Sequence, residues 1–183
     1  MPIIKRKSFN EISKIYFFTA TIHKWFPLLA EDNNQQLIID YLKKLSDEGY
    51  LTIYIFILMP NHKHIIGKEN KMNGKETPQG SFLKYTGHEF LKKLKANSKS
   101  FSYEVNLANK KHEIWQRDSL NIEIYNREVA KQKLDYIHFN PVSGKWVLAK
   151  DDLSYYFSSA RFYENGVDDF GFLTNLFKEF DGC

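Results

Sequence analysis

Residues 51–66 constrain the fold of this chain more than any other segment. The first nine of them, Leu-Thr-Ile-Tyr-Ile-Phe-Ile-Leu-Met, are almost all apolar, and most are β-branched or aromatic. Such a run is typical of a strand buried on both faces, and it is much shorter than a membrane span. Pro60 and Asn61 break the run, and residues 62–66 return to an extended pattern. We therefore predict two successive strands joined by a turn.

The other segments alternate between strand and helix patterns. We predict two further strands, at residues 15–22 and 122–125, and four helices, at residues 31–48, 81–96, 128–139 and 169–180. Residues 68–80 are polar and contain Gly and Pro, which indicates a mobile loop. Asn33 or Asn34 is placed to cap the first helix, and Gly49 to end it. Asn140 and Pro141 end the third helix, because the residue before proline avoids the helical region.

This order of elements predicts an α+β fold. Strand, helix, strand, strand, helix, strand, helix is the order of a ferredoxin-like (RRM-like) antiparallel sheet with helices on one face, followed by a C-terminal helix that carries a tyrosine. Such a sheet leaves its other face free for a ligand. We expect one domain over residues 1–183, with a core at about 10–145 and a C-terminal extension at 146–183.

Composition excludes several classes of protein. Hydrophobic residues make up 43% of the chain, which is enough for a packed core and argues against global disorder. The net charge of +4 is compatible with a polyanionic partner. The single cysteine, Cys183, cannot form an internal disulfide, and neither a signal peptide nor a membrane-spanning run is evident. We expect a soluble cytoplasmic protein with no membrane partner.

His62 and His64 form the first candidate site. Alternate residues of a strand project from the same face, so the two imidazoles lie side by side and can chelate a divalent cation. A pair of surface histidines at a strand edge is the alternative reading of this short pattern. The buried strand and the turn that precede it favour the metal site.

Tyr136 and Asn140 form the second candidate site. They are four residues apart on the third predicted helix and therefore share a face. There the phenol could attack a phosphate, and the amide could reach a metal ion. The alternative is a core tyrosine followed by an asparagine that only ends the helix, and the chain contains 11 tyrosines that compete for the role.

Four segments carry a resemblance to a known family. In chain order they are Met-Pro-Asn-His-Lys-His-Ile-Ile at 59–66, Ile-Trp-Gln-Arg at 114–117, Lys-Leu-Asp-Tyr-Ile-His-Phe-Asn-Pro-Val at 133–142 and Tyr-Phe-Ser-Ser-Ala-Arg at 156–161. Together they resemble the successive motifs of the single-tyrosine HUH transposases, in particular the REP-associated tyrosine transposases and their insertion-sequence relatives. The similarity spans roughly residues 10–165.

The resemblance implies a function and assigns the site. It implies a transposase that cuts and rejoins single-stranded DNA with hairpin ends, nucleoid-associated when bound to that DNA, through a 5′-phosphotyrosine intermediate and with magnesium or manganese. Tyr136 becomes the nucleophile, His62 and His64 become metal ligands, and Asn140 becomes a candidate third ligand. A homodimer with exchanged tyrosine helices is one arrangement known among relatives.

Lys63 departs from the family pattern, in which the middle position of the motif is usually a large hydrophobic residue. Its side chain should point away from the histidines and toward the helices, where a lysine must reach solvent or find a partner. This departure keeps a second function open, namely a catalytically inactive, domesticated nucleic-acid-binding protein on the same scaffold. A small metal-binding protein unrelated to DNA is a third and weaker alternative.

Cations outside the two motifs predict the contacts with DNA. Positive side chains bind the phosphate backbone, although helix lysines are often only a solvated face. The predicted DNA-binding residues are Lys5, Arg6, Lys92, Lys93, Arg117, Lys133 and Arg161. We expect Trp115 to be a core anchor, Ser158, Ser159 and Arg161 to hold the C-terminal segment against the core, and His138 to be structural or to contact DNA.

Overall fold

A computed structural model describes residues 10–117, 120–144 and 146–181. Its strands and helices are β1 (Ile15–Thr21), α1 (Asn34–Asp47), β2 (Leu51–Leu58), β3 (His62–Glu69), α2 (Pro78–Ala96), β4 (Glu104–Leu107), β5 (Lys110–His112), β6 (Leu120–Glu123), α3 (Arg127–Phe139) and α4 (Ala160–Asn165). Short 3-10 turns occur at His23–Trp25, Leu28–Ala30, Ser100–Tyr103, Asn140–Val142, Asp152–Ser154 and Leu176–Phe180.

The main sheet has the strand order β2-β3-β1-β6, and all neighbouring strands are antiparallel. The predicted α+β, ferredoxin-like sheet is therefore confirmed, with β6 as its fourth strand. A small hairpin, β4–β5, is inserted between α2 and β6. It was not predicted, because its residues are mostly polar and exposed and show no apolar alternation.

Each face of the sheet has its own hydrophobic core, because strand residues alternate between the faces. On one face, Phe18 lies in a cluster with residues of α1 and α2, among them Phe90. On the other face, Phe17 lies in a cluster with Ile137 of α3 and with the C-terminal Leu176. The face that was expected to be free is therefore partly covered by α3 and the C-terminal segment.

The C-terminal segment also covers the outer edge of β2. Leu58 N–H donates to Phe157 O (3.0 Å), Ser159 N–H donates to Phe56 O (3.0 Å), and Ser159 Oγ accepts from Phe56 N–H (3.0 Å). Ser158 pairs with Ile57 as an isolated bridge. The predicted holding role of Ser158 and Ser159 is confirmed, and an edge that could otherwise pair with another chain is closed.

Several predicted boundaries were wrong. The fourth strand lies at Leu120–Glu123 rather than at 122–125, and the helix expected at 169–180 is only the turn Leu176–Phe180, whereas α4 was not predicted. β3 continues to Glu69 and α2 begins at Pro78, so the loop expected over 68–80 is shorter.

The predicted helix ends had mixed outcomes. Gly49 ends α1 with φ 71°, as expected. Asn33 stands at the N-terminus of α1 but makes no side-chain cap, and the Asn34 amide donates instead to Leu28 O (2.8 Å). Asn140 keeps helical angles (φ −55°, ψ −46°) despite Pro141, and the chain passes from α3 directly into a 3-10 turn. Among the described residues, no helix is long and apolar enough to cross a membrane.

Candidate functional site

The register of β3 places the two histidines in the middle of the sheet. His64 lies opposite Thr19 of β1 and Ile57 of β2, and His62 lies opposite Thr21. The two rings project from the same face with their centroids 4.8 Å apart, and both side chains are buried. The backbone beneath them is fixed by hydrogen bonds on both sides, so the pair is held in place before any ligand arrives.

Neighbouring side chains orient both imidazoles. The Asn61 amide donates from Nδ2 to Trp25 O (3.1 Å), so its Oδ1 faces His62 Nδ1 at 2.7 Å and can only accept. His62 Nδ1 is therefore the donor in this hydrogen bond. His64 Nδ1 lies 2.9 Å from Thr19 Oγ1.

His64 stays neutral over the physiological pH range. Burial, and then the positive charges of His62, Lys63 and Lys133, lower the pKa of His64 to about 3. Its Nε2 is buried and has no hydrogen-bond partner among the described residues. A neutral imidazole with an unpartnered ring nitrogen is a ready metal ligand.

Lys63 points to the opposite face, as predicted. Its side chain is 1% exposed, and Nζ lies 4.8 Å from the centroid of the Phe82 ring on α2. Burial lowers the pKa of Lys63 to about 7, although the carboxylate of Glu69 raises it in part. The lysine does not reach solvent; its partner is an aromatic ring.

Tyr136 comes to the histidines from α3. That helix packs Ala130 and Ile137 into the core, which leaves Tyr136 at the margin of the helix with 51% of its side chain exposed. Its ring centroid lies 5.4 Å from that of His64 and 6.2 Å from that of Phe17. Within the described residues, its hydroxyl has no hydrogen-bond partner. The phenol and the imidazoles therefore meet within one chain.

Histidines and tyrosine face a shared cavity of about 570 Å³. It is lined by Phe17, Thr19, Thr21, Trp25, His62, His64, Leu120, Ile122, Lys133, Tyr136, Asn140 and Trp146. Lys133 Nζ lies 5.7 Å from the centroid of the Tyr136 ring. Asn140 also lines the cavity, and its role as a metal ligand stays a prediction. Among the residues that the structure describes, no cluster of three or more His, Cys, Asp or Glu could hold a metal.

Comparison with solved structures identifies the fold. The structure of a REP-associated tyrosine transposase bound to a REP hairpin aligns with 94% of this chain and 93% of its own, with a TM-score of 0.63 and 19% identity. The chain has the fold of a REP-associated tyrosine transposase. A "putative transposase from Deinococcus radiodurans R1" aligns more loosely, over 74% of this chain and 95% of its own, with a TM-score of 0.42 and 12% identity. No family model and no curated protein matches the chain.

The predicted DNA-binding residues are dispersed on this transposase fold. Lys133 is in the cavity, whereas Lys92 and Lys93 lie on α2, which packs on the opposite face of the sheet. Lys93 Nζ donates to Asp32 O (2.7 Å) and to Asn34 Oδ1 (2.9 Å), so it braces the start of α1. Lys5 and Arg6 lie outside the described residues.

The two predicted arginines have acidic neighbours. Arg117 is exposed, 3.9 Å from Glu113, and it donates to Asn109 Oδ1 (3.3 Å). Arg161 forms an ion pair with Asp169 at 2.8 Å. Both contacts explain how these arginines support local structure, and their contact with DNA stays a prediction.

Two further residues have the roles expected of them in the structure. Trp115 is buried, and its Nε1 donates to Thr86 Oγ1 (2.9 Å), which makes it a core anchor. His138 is buried with Nε2 2.9 Å from Ser159 Oγ, and burial lowers its pKa to about 4. His138 is therefore structural.

Sequence reasoning missed Trp25, Trp146 and the orienting role of Asn61. Asn61 precedes His62 directly, so its adjacency to the histidine was the available signal. The two tryptophans come from distant segments, and no local pattern links them to the histidines.

Proposed function

We propose that this chain is a DNA transposase, a single-strand endonuclease and ligase that acts through a 5′-phosphotyrosine intermediate with a divalent metal. The observation that carries the proposal is the approach of Tyr136 to His64 in an open cavity. The transposase fold supports it. A nucleophile beside two imidazole ligands is the minimum that this chemistry needs.

His62 and His64 suit a bound cation. Each has one ring nitrogen engaged by Asn61 or Thr19, and the buried Nε2 of His64 lacks a partner in the described part of the chain. The other ring nitrogen of each histidine, Nε2, would hold magnesium or manganese, with the Asn140 amide as a third ligand. Such an ion supplies Lewis-acid polarisation of the scissile phosphate.

The remaining residues carry out the strand transfer. Tyr136 Oη forms a bond to phosphorus, the bond from phosphorus to the 3′ oxygen breaks, the phenol loses its proton to solvent and the 3′ oxygen takes one up. Lys133 places a positive charge near the developing negative charge. The covalent link conserves the phosphodiester bond energy, so attack by another 3′-hydroxyl rejoins DNA without ATP.

Single-stranded DNA with hairpin ends is the proposed substrate. The transposase of the same fold is bound to a REP hairpin. The cavity, at about 570 Å³, has the volume of a site for one small ligand or nucleotide. In this structure the chain's own α3 supplies the tyrosine, and a homodimer with exchanged helices stays a prediction.

A covalent adduct is the direct test. Hairpin-bearing single-stranded DNA and Mn²⁺ should give a protein–DNA adduct that resists denaturation, and Tyr136→Phe should abolish it. Tyr156→Phe is the matched control, because Tyr156 has the same 51% exposure but does not line the cavity. An adduct that survives in Tyr136→Phe would refute the assignment of the nucleophile.

One observation favours the alternative, a catalytically inactive, domesticated nucleic-acid-binding protein. Lys63 and Lys133 lower the pKa of His64 by their positive charge, and the same charges repel a divalent cation. The adduct experiment separates the two functions. Tight binding of the hairpin DNA without any adduct would support the binding protein.

A further inference from the structure

Trp25 is an exposed aromatic side chain at the rim of the cavity. Its side chain is 56% exposed, and its ring centroid lies 6.1 Å from that of His62. The Trp146 ring lies 6.5 Å from His62, also in the cavity wall. Single exposed aromatics are common on protein surfaces, so exposure alone would mean little. The backbone of Trp25 gives the second observation.

Trp25 and the residue before it adopt left-handed backbone angles, with φ 59° for Trp25 and φ 50° for Lys24. Asp32 and Asn33 form a similar pair, but their short polar side chains tolerate this region. For a bulky tryptophan it is unfavourable. Strained backbone of this kind persists where the surrounding structure imposes it, and it clusters at functional sites.

Three hydrogen bonds hold the turn that contains Trp25. Trp25 N–H donates to Ile22 O (2.9 Å), Phe26 N–H donates to His23 O (3.1 Å), and the buried Asn61 amide donates to Trp25 O (3.1 Å). The same Asn61 side chain orients His62. One buried amide therefore contacts both the backbone of Trp25 and the ring of a candidate metal ligand.

We propose that Trp25 is a stacking platform for one unpaired base next to the phosphate that reacts in the cavity. The inference rests on the proposed function, because it takes single-stranded DNA as the ligand. An indole face stacks on any nucleobase without reading its identity, and bases in a duplex are already stacked on each other. Stacking on Trp25 would fix the position of the DNA strand. Because Asn61 contacts both Trp25 and His62, that position is set relative to His62.

A fluorescent base tests the platform. Hairpin oligonucleotides with a single-stranded flank each carry one 2-aminopurine, placed at successive positions, and bind in Mn²⁺ to protein in the Tyr136→Phe background. At one position the fluorescence should be quenched on binding, and Trp25→Gly should remove the quenching and weaken binding about 10-fold. Glycine accepts positive φ without strain, so this variant should keep the turn.

Two further variants make the result specific. Trp25→Phe keeps an aromatic ring and should retain part of the quenching. Phe101→Ala removes an aromatic side chain that is 70% exposed but does not line the cavity, and should change nothing. If quenching at every position is the same with and without the Trp25 ring, the platform is refuted while the proposed function stands. If the protein binds none of these oligonucleotides, the proposed function fails as well.

Discussion

The two faces of β3 lie in opposite environments, although alternate residues of one strand build them. His62 and His64 face a cavity of about 570 Å³, each with one nitrogen oriented by a neighbour. Lys63, between them, is sealed against Phe82, and Glu69 of the same face accepts from Gln79 N–H (2.9 Å) at the start of α2. One face is open to a ligand, and the other is closed by helices.

Along this one strand, some residues bear on function and the residues between them bear on stability. On the open face, the polar atoms are arranged for something that the chain itself does not supply, as the unpartnered His64 Nε2 indicates. On the closed face, Lys63 lies over the Phe82 ring and is attracted by the charge of Glu69, and it does not line the cavity. Substitutions on the open face should therefore change chemistry, and substitutions on the closed face should change the free energy of unfolding.

The largest effect is expected on the open face. His64→Gln should weaken Mn²⁺ binding by more than about 100-fold, since loss of a ligand exceeds the 10- to 100-fold cost of losing an outer partner. DNA adduct formation should disappear with it. Titration calorimetry with Mn²⁺ measures the affinity directly.

His88→Gln is the matched control for this substitution, because His88 is exposed on α2 and does not line the cavity. It should bind Mn²⁺ as the unaltered chain does. Equal Mn²⁺ affinity in the His64 and His88 variants would contradict a metal site on the open face. It would also contradict the proposed difference between the two faces.

A substitution on the closed face should change the stability of the protein rather than weaken metal binding. Lys63→Met should stabilise the protein by about 3 kcal/mol at pH 7, because a well-packed apolar side chain replaces a buried charge that is costly to desolvate. Mn²⁺ affinity should not fall, since the substitution removes one positive charge near His64. Urea denaturation at several pH values measures the gain.

The pH dependence of this gain follows from the pKa of Lys63. Burial lowers it from 10.5 to about 7 in the folded chain, so between these values the unfolded chain holds a proton that the folded chain has released. Stability of the unaltered protein should therefore rise with pH across this window, by up to about 1.4 kcal/mol per unit. The gain from Lys63→Met should be largest at and below about pH 7 and should decline as the pH rises toward 10.5.

Lys43→Met is the control, because Lys43 is exposed on α1 and, among the described residues, forms an ion pair only with Asp47. It should change stability by less than about 0.5 kcal/mol. If Lys63→Met instead destabilises the protein at pH 7, the attraction of Glu69 and the Phe82 ring outweighs the cost of burial.

The elements that apolar periodicity specifies were predictable from the sequence. The strands β1 and β2 and the helices α1, α2 and α3 appear, because burial against one sheet requires those patterns. The β4–β5 hairpin escaped prediction because its exposed polar residues leave no period. Asn140 stays helical before Pro141 because the chain tightens into a 3-10 turn, which the local rule for prolines does not anticipate.

The candidate site was predictable only where local geometry determines it. Strand alternation placed His62 and His64 on one face and Lys63 on the other. The positions of Trp25 and Lys93 depend on residues distant in sequence, Asn61 and Asp32, so no local pattern could reveal them. The same limit applies to Arg161, whose ion pair with Asp169 depends on the path of the C-terminal segment.

The smallest effect is expected at the edge of β2, outside the cavity, where Ser159 holds the C-terminal segment. Ser159→Ala removes the acceptor of Phe56 N–H and the partner of the buried His138, so it should destabilise the protein by about 2 kcal/mol without changing Mn²⁺ affinity. Ser100→Ala is the control, since the Ser100 side chain has no hydrogen bond within the described residues, and it should have almost no effect. If Ser159→Ala weakened metal binding as much as His64→Gln does, the order of the cavity would depend on the contacts at the β2 edge. Metal binding in the cavity and stability at the sheet edge would then not be separable.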